Sequence, residues 1–258
     1  MRARSAWAQG VAGLAGLCVL LELVPRSGLV SARYLPPISE ILAALADKAG
    51  EASFWTALAD TMRGWAIGLT VAVVAGVVLG VALGSIGPLR AATGSTIEFL
   101  RPIPSVALVP LAVLLFGTDL RSKLLLIVYA AFWQVLIQVL SGVQDVDPVA
   151  RETARSYGLG AWAQVRHVTW PTTLPYLMTG VRLAATIALV LAITAELVIG
   201  SPGLGKEIAV AQSSGAVASM YALVVVTGLI GVAVNLLARV LERRALAWHT
   251  SVRGELPA

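Results

Sequence analysis

The side chains able to do chemistry are few and far apart. One cysteine, Cys18, and two histidines, His167 and His249, stand among 258 residues with 14 carboxylates. A single thiol builds neither a disulfide framework nor a multi-cysteine metal site. Two histidines leave little material for a zinc centre. Gly84-Ser85-Ile86-Gly87 has the outline of a nucleophile turn, yet neither histidine falls in an apolar stretch where it would activate Ser85. Gly200-Ser201-Pro202-Gly203-Leu204-Gly205-Lys206-Glu207 approaches the phosphate-loop pattern G-x-x-x-x-G-K-[ST], but Glu207 replaces the hydroxyl that ligates Mg²⁺. No catalytic residue and no metal ligand is assigned, and this chain is not expected to hydrolyse ATP.

The remaining polar chemistry is concentrated in residues 145–171, where Asp145, Asp147, Arg151, Glu152, Arg155 and Arg166 lie between two apolar stretches. Asp147-Pro148 reads as a helix start, an acidic N-cap followed by proline at the first helical position. The helix then runs from Val149 to Tyr157 and ends at Gly158-Leu159-Gly160, and a second helical stretch runs from Ala161 to Val168 toward Trp170-Pro171. Gly158 allows a tight turn or a close backbone approach. Glu152 either caps backbone donors or pairs with a basic residue of a partner, and a solvated Glu152–Arg155 ion pair is the plain alternative. An element of this kind, in a chain without catalytic machinery, is expected to dock something.

The elements that hold this loop are membrane spans. Hydrophobic residues make up 58% of the chain and charged residues 13%, and mean hydropathy is +0.84. Soluble domains carry roughly 25% charged residues. Residues 5–21, 64–89, 102–118, 124–144 and 208–238 are uncharged runs, and residues 172–198 are equally apolar apart from Arg182 and Glu196. Each approaches or exceeds the ~20 residues a spanning helix needs. The fold class expected is an all-α membrane protein of six transmembrane helices, since strict alternation is absent and helices satisfy their own backbone in lipid. Basic residues such as Arg90, Arg101, Arg151, Arg155, Arg239 and Arg244 outnumber those on the other face, including Arg121, Lys123 and Lys206. This places both termini in the cytoplasm, and the net charge of +5 needs no nucleic acid to explain it.

Four expectations concern individual elements. The first apolar stretch is a retained anchor, with a signal peptide cleaved near Val30-Ser31-Ala32 as its rival. Residues 38–49 carry Ile38, Ile41, Leu42, Leu45 and Ala49 on one face, giving either an amphipathic helix on the outer surface or a plain connector. Gly64, Gly68, Gly76, Gly80 and Gly84 recur at multiples of four and form a groove for close helix packing. Pro102, Pro104 and Pro110 break or bend the third span, so it and the fifth are expected to line a translocation path.

The loop also resembles a known family. Glu152-Thr153-Ala154, Gly158 and Val168-Thr169-Trp170-Pro171 are similar in spacing to the EAA loop of bacterial ABC-importer permeases. Thr153, Val168 and Trp170 depart from the pattern Glu-Ala-Ala, three residues, Gly, nine residues, Ile-x-Leu-Pro, while Glu152, Ala154, Gly158 and Pro171 match it. Residues 100–117, from Leu100-Arg101-Pro102-Ile103-Pro104 to Phe116-Gly117, resemble the third-span signature of permeases for nitrate, sulfonates and taurine. Thr179-Gly180-Val181-Arg182, Ala195-Glu196-Leu197 and Gly203-Leu204-Gly205 are similar to further stations of that subfamily.

The resemblance implies a type I ABC importer permease fold and a coupling loop formed by Glu152, Thr153, Ala154, Arg155, Gly158 and Pro171. It implies a separate ABC ATPase dimer that carries ATP and Mg²⁺, an extracytoplasmic solute-binding protein and a second permease copy, with no cofactor in this chain. The domain organisation expected is an N-terminal helix and connection (1–34), an external amphipathic segment (35–59), a permease core (60–245) containing the coupling loop, and a cytoplasmic tail (246–258). Pro104, Arg182 and Glu196 are the translocation-path candidates. Arg182 either snorkels to the inner interface or lines the path, and Glu196 pairs with a neighbour or caps a loop if it does not face the path. The substrate class implied is a small polar or anionic nutrient in the bacterial inner membrane, aliphatic sulfonates and taurine-like compounds ahead of nitrate. An ATP-independent secondary transporter or channel is the alternative, which would need coupling-ion residues that the spans show sparsely.

Overall fold

The computed structural model describes residues 2–248, all helix and connecting turns; His249, Arg253 and most of the tail 246–258 lie outside the described residues. In chain order the helices are α1 (Arg2–Arg26), α2 (Ile38–Ala49), α3 (Ala52–Ser85), α4 (Gly87–Leu100), α5 (Val109–Phe116), α6 (Leu120–Gln144), α7 (Pro148–Ser156), α8 (Ala161–Gln164), α9 (Trp170–Ile199), α10 (Leu204–Ser213) and α11 (Val217–Ala245). A 3₁₀ turn, Ser105–Leu108, precedes α5, and a π turn, Val165–Thr169, joins α8 to α9. Among the described residues five helices are long and apolar enough to cross a membrane, and α4 with the segment Ser105–Phe116 makes a sixth crossing when the pair is taken as one broken span.

The core is the bundle of α3, α6 and α9. A Cβ on Gly64, Gly68, Gly76, Gly80 or Gly84 of α3 would lie 2.5–2.8 Å from a side-chain carbon of Lys123, Ile127, Val135, Val139 or Val143 of α6, in that order. Every step along α3 is matched by an equal step along α6, so the two helices run parallel. The expected glycine groove is therefore the seat of α6. Helical glycine costs roughly 0.5–1 kcal/mol each relative to alanine, and close backbone packing offsets that cost where lipid supplies no hydrophobic drive. α9 runs antiparallel to α6: Gly142 faces Thr173 and Tyr176, while Gly180 faces Gln138. Two parallel helices joined by a broken span leave α4 and α5 to carry the chain back across.

Three spans differ from the sequence expectation. Residues 102–118 do not form one helix: α4 and the segment Ser105–Phe116 meet at 84° across a short break. Pro102 and Pro104 supply no N–H to continue a helix, and Pro104 itself is extended at φ −62°, ψ 121°. Residues 208–238 are likewise interrupted, because α10 ends at Ser213 and Gly215 adopts φ +74° before α11 begins. The fifth span is longer than expected, continuous in helix from Ala161 to Ile199.

Polar contacts tie several of these elements together. α2 is helical and packs on α11, with Ile41 buried and Leu42 53% exposed, so its inward face is narrower than the apolar periodicity suggests. Glu22 holds Arg26 at 2.6 Å and accepts from the Ser39 backbone N–H at 3.1 Å, tying α1 to the start of α2. Gln134, Gln138 and Asn235 make no side-chain hydrogen bonds among the described residues. The helices are instead bridged by Trp65 Nε1, which donates to the Ala185 carbonyl at 2.9 Å, and Tyr129 Oη, which donates to the Leu100 carbonyl at 2.6 Å.

Candidate functional site

The polar loop folds as a compact knob at one end of the bundle. The Asp147 carboxylate accepts from the Val149 N–H at 2.8 Å, and Pro148 occupies the first turn of α7, as a capped helix start requires. The other end of α7 closes with two backbone bonds: Leu159 N–H donates to Ala154 O at 3.0 Å and Gly158 N–H to Arg155 O at 2.9 Å. This is the Schellman arrangement, which places its C′ residue in the left-handed region. Gly158 has φ +74°, and a Cβ there would meet nothing within 4 Å. Within this chain the glycine serves the turn, not a close approach. Gln164 Nε2 then donates to Leu159 O at 2.8 Å and fixes α8 against the turn.

Ala154 is buried beneath this turn, while Glu152, Thr153 and Arg155 face outward. Among the described residues no ion pair joins Glu152 to Arg155, so the solvated local pair is not formed. Large apolar side chains stand beside these charges: Val149 is 67% exposed, Tyr157 81% and Trp162 77%. Pro171 is not a stop. It sits in the first turn of α9, directly after the π turn Val165–Thr169, whose wider register absorbs the N–H that proline lacks. The knob is consequently continuous with the span behind it.

The three path candidates are separated. Pro104 lines a cavity of about 280 Å³ at the break between α4 and α5. Arg182 Nη1 pairs with Glu242 Oε2 at 3.0 Å, joining α9 to α11. Glu196 is fully buried near the end of α9 remote from the knob. Its Oε1 takes the Lys123 ammonium at 2.8 Å, and its Oε2 accepts from Thr61 Oγ1 at 2.9 Å and from the Gly205 N–H at 3.0 Å. Lys123 Nζ donates further to the Asp60 and Pro202 carbonyls, both at 3.1 Å. The two charges together complete a hydrogen-bonded cluster spanning α3, α6, α9 and α10.

The phosphate-loop lookalike is the wrapping of that cluster: a Cβ on Gly203 or Gly205 would collide with Glu196. Lys123, placed by the sequence reading among loop charges, is buried at 1% exposure. No local signal marks it: Gly64 of the α3 stripe faces Lys123 only through the packing of α3 on α6.

The family model described as "Binding-protein-dependent transport system inner membrane component" matches residues 43–246. The chain belongs to this family of ABC-importer permeases. Its relatives include the taurine transport system permease protein of Escherichia coli (strain K12), 32% identical over 92% of this chain and 89% of that protein. The putative aliphatic sulfonates transport permease protein of Bacillus subtilis (strain 168) is 28% identical over 98% of this chain and 92% of that one. Among solved structures, a bacterial ABC transporter involved in the import of the acidic polysaccharide alginate superposes with a TM-score of 0.66 at 14% identity, covering 93% of this chain and 96% of that chain. The type I importer permease fold and the transport-subunit role are thereby established, with ATP hydrolysis the work of a separate subunit. Permease membership displaces the secondary-transporter alternative.

Proposed function

We propose that this permease imports a small oxyanion, an aliphatic sulfonate or taurine-like compound ahead of nitrate. It works as one half of a homodimeric membrane core, with both termini and the α7–α8 knob in the cytoplasm. The knob is the contact to the ATPase dimer, which holds ATP and Mg²⁺, and the solute-binding protein meets the opposite end. The observation carrying this reading is the knob: unpaired Glu152, exposed Tyr157 and Trp162, and a rigid Schellman turn, all continuous with a span reaching the far end of the bundle. The helical run Ala161–Ile199 is about 58 Å long at 1.5 Å per residue. Displacement of its knob end by nucleotide-driven closure of the ATPase therefore reaches the Glu196 cluster as a rigid-body movement, a two-state switch driven by differential binding. The relatives named for taurine and aliphatic sulfonates support the substrate class.

The test is reconstitution of the chain with the ATPase and binding protein encoded beside it, assayed for ATP hydrolysis with taurine, ethanesulfonate and nitrate. Stimulation by a loaded binding protein, abolished by Glu152→Ala with the permease still folded, is expected. Stimulation that survives Glu152→Ala undiminished would contradict the coupling role, and stimulation by nitrate alone would contradict the sulfonate preference.

A further inference from the structure

The break between α4 and α5 lies part-way along the length of α6, with Arg101, Pro102 and Pro104 exposed at the flank of the bundle. Tyr129, whose hydroxyl binds the Leu100 carbonyl, is about 14 Å from the start of α6 and about 22 Å from its end at 1.5 Å per residue. Arg101, counted from the sequence among the loop charges of the cytoplasmic side, follows Leu100 at this height of the bundle and is not a loop-end charge. Among the described residues it has no carboxylate within ion-pair distance and donates no side-chain hydrogen bond. An unpaired guanidinium at mid-span is costly and marks a functional position.

Arg101 lines the 280 Å³ cavity together with Pro104, Ser105, Tyr129, Trp133 and Gln134. Trp133 is 8% exposed and its Nε1–H has no hydrogen-bond partner, while its ring is held edge-on by Tyr129 and Phe132, with centroids at 5.9 Å and 5.0 Å. That N–H is enclosed by protein, so the ring shapes the wall of the cavity. The residues around this cavity thus carry a positive fork at Arg101, the Ser105 hydroxyl and the Gln134 amide. Arg101 also borders a second cavity of about 530 Å³ that extends along α4 to Arg90 and includes Glu98, one turn before Arg101.

We infer that this cavity is a transient binding site for the small oxyanion in transit, with Arg101 as its charge and Ser105 and Gln134 as its polar neighbours. The inference rests on the permease reading above and names the place where the substrate pauses. The guanidinium fork matches the geometry of an oxyanion. Glu98 disfavours retention on the side toward Arg90, so the anion is held without being trapped.

The experiment uses Ser105→Cys in a Cys18→Ser background, with Gln134→Cys as a second position in case the first does not fold. Both are made with and without Arg101→Gln and reconstituted in nanodiscs with the ATPase. Labelling rates are measured with anionic methanethiosulfonate ethylsulfonate and with its cationic trimethylammonium-ethyl analogue, each divided by its rate with 2-mercaptoethanol. The normalised rate favours the anionic reagent by about tenfold at low salt, the scale at which charged clefts concentrate ions. Arg101→Gln removes that preference, and sodium ethanesulfonate slows anionic labelling of the Arg101 protein. A ratio at or below unity, a ratio unchanged by Arg101→Gln, or no labelling by either reagent at both positions would overturn the site. Failure of the ATPase encoded beside it to bind the chain overturns the proposed coupling through the knob instead. Labelling of the chain alone in nanodiscs still decides whether the anion site exists.

Discussion

At the scale of single residues, Gly158 and the Lys123–Glu196 pair carry distinct duties. Gly158 adopts φ +74° as C′ of a Schellman turn, so alanine there strains the backbone by about 1 kcal/mol while asparagine is better tolerated. Binding-protein-stimulated ATPase activity is expected to fall in Gly158→Ala and to be largely kept in Gly158→Asn. Glu196 and Lys123 are each at or below 1% exposure. Removing one member of such a pair strands the other charge and costs roughly 3–5 kcal/mol, whereas replacing both with apolar groups is often much less harmful. Thermal unfolding in detergent should therefore show a large loss for Glu196→Ala, and a smaller one for Lys123→Met combined with Glu196→Leu. Equal losses in the single and double variants would remove the ion pair from this account.

At the scale of elements, the parallel contact of α3 with α6 sets the architecture. Gly80 allows Val139 to lie against the α3 backbone, and a Cβ there would lie 2.8 Å from the Val139 side chain. Gly80→Leu is expected to separate the helices and reduce stability by about 1–3 kcal/mol, the range of an overpacked core, measurable as lower recovery and a lower Tm. This groove was legible as a four-residue period in the sequence because small-residue spacing is a local pattern. The knob was legible for the same reason: Asp147, Pro148 and Gly158 are punctuation that acts within a few residues. The break at residues 101–104 was only half legible. Pro102, Pro104 and Pro110 announce a bend, but the 84° angle depends on how α4 and the segment to Phe116 pack on α6. Lys123 was not legible as a buried cation, since its partners Asp60, Glu196 and Pro202 are distant in sequence and meet only through tertiary packing.

At the scale of the whole molecule, α9 connects the two ends. It emerges from the knob through the π turn, carries Arg182 to Glu242 of α11, and ends in the Glu196 cluster that holds α10 through the Gly205 N–H. A push on the knob thus moves the remote end without any flexible joint beyond the π turn. The measurement that tests this most directly is ATP-dependent uptake by proteoliposomes holding this permease, its ATPase and its binding protein. A disulfide between introduced cysteines would tether the knob to the ATPase cleft. The account predicts that the Cys18→Ser complex with one cysteine at Tyr157 and one in the cleft still forms the crosslink and still transports, because knob and cleft move together. Uptake should be lost in Glu152→Ala, which leaves the spans intact. Transport that proceeds at the wild-type rate with the knob deleted would contradict the central claim.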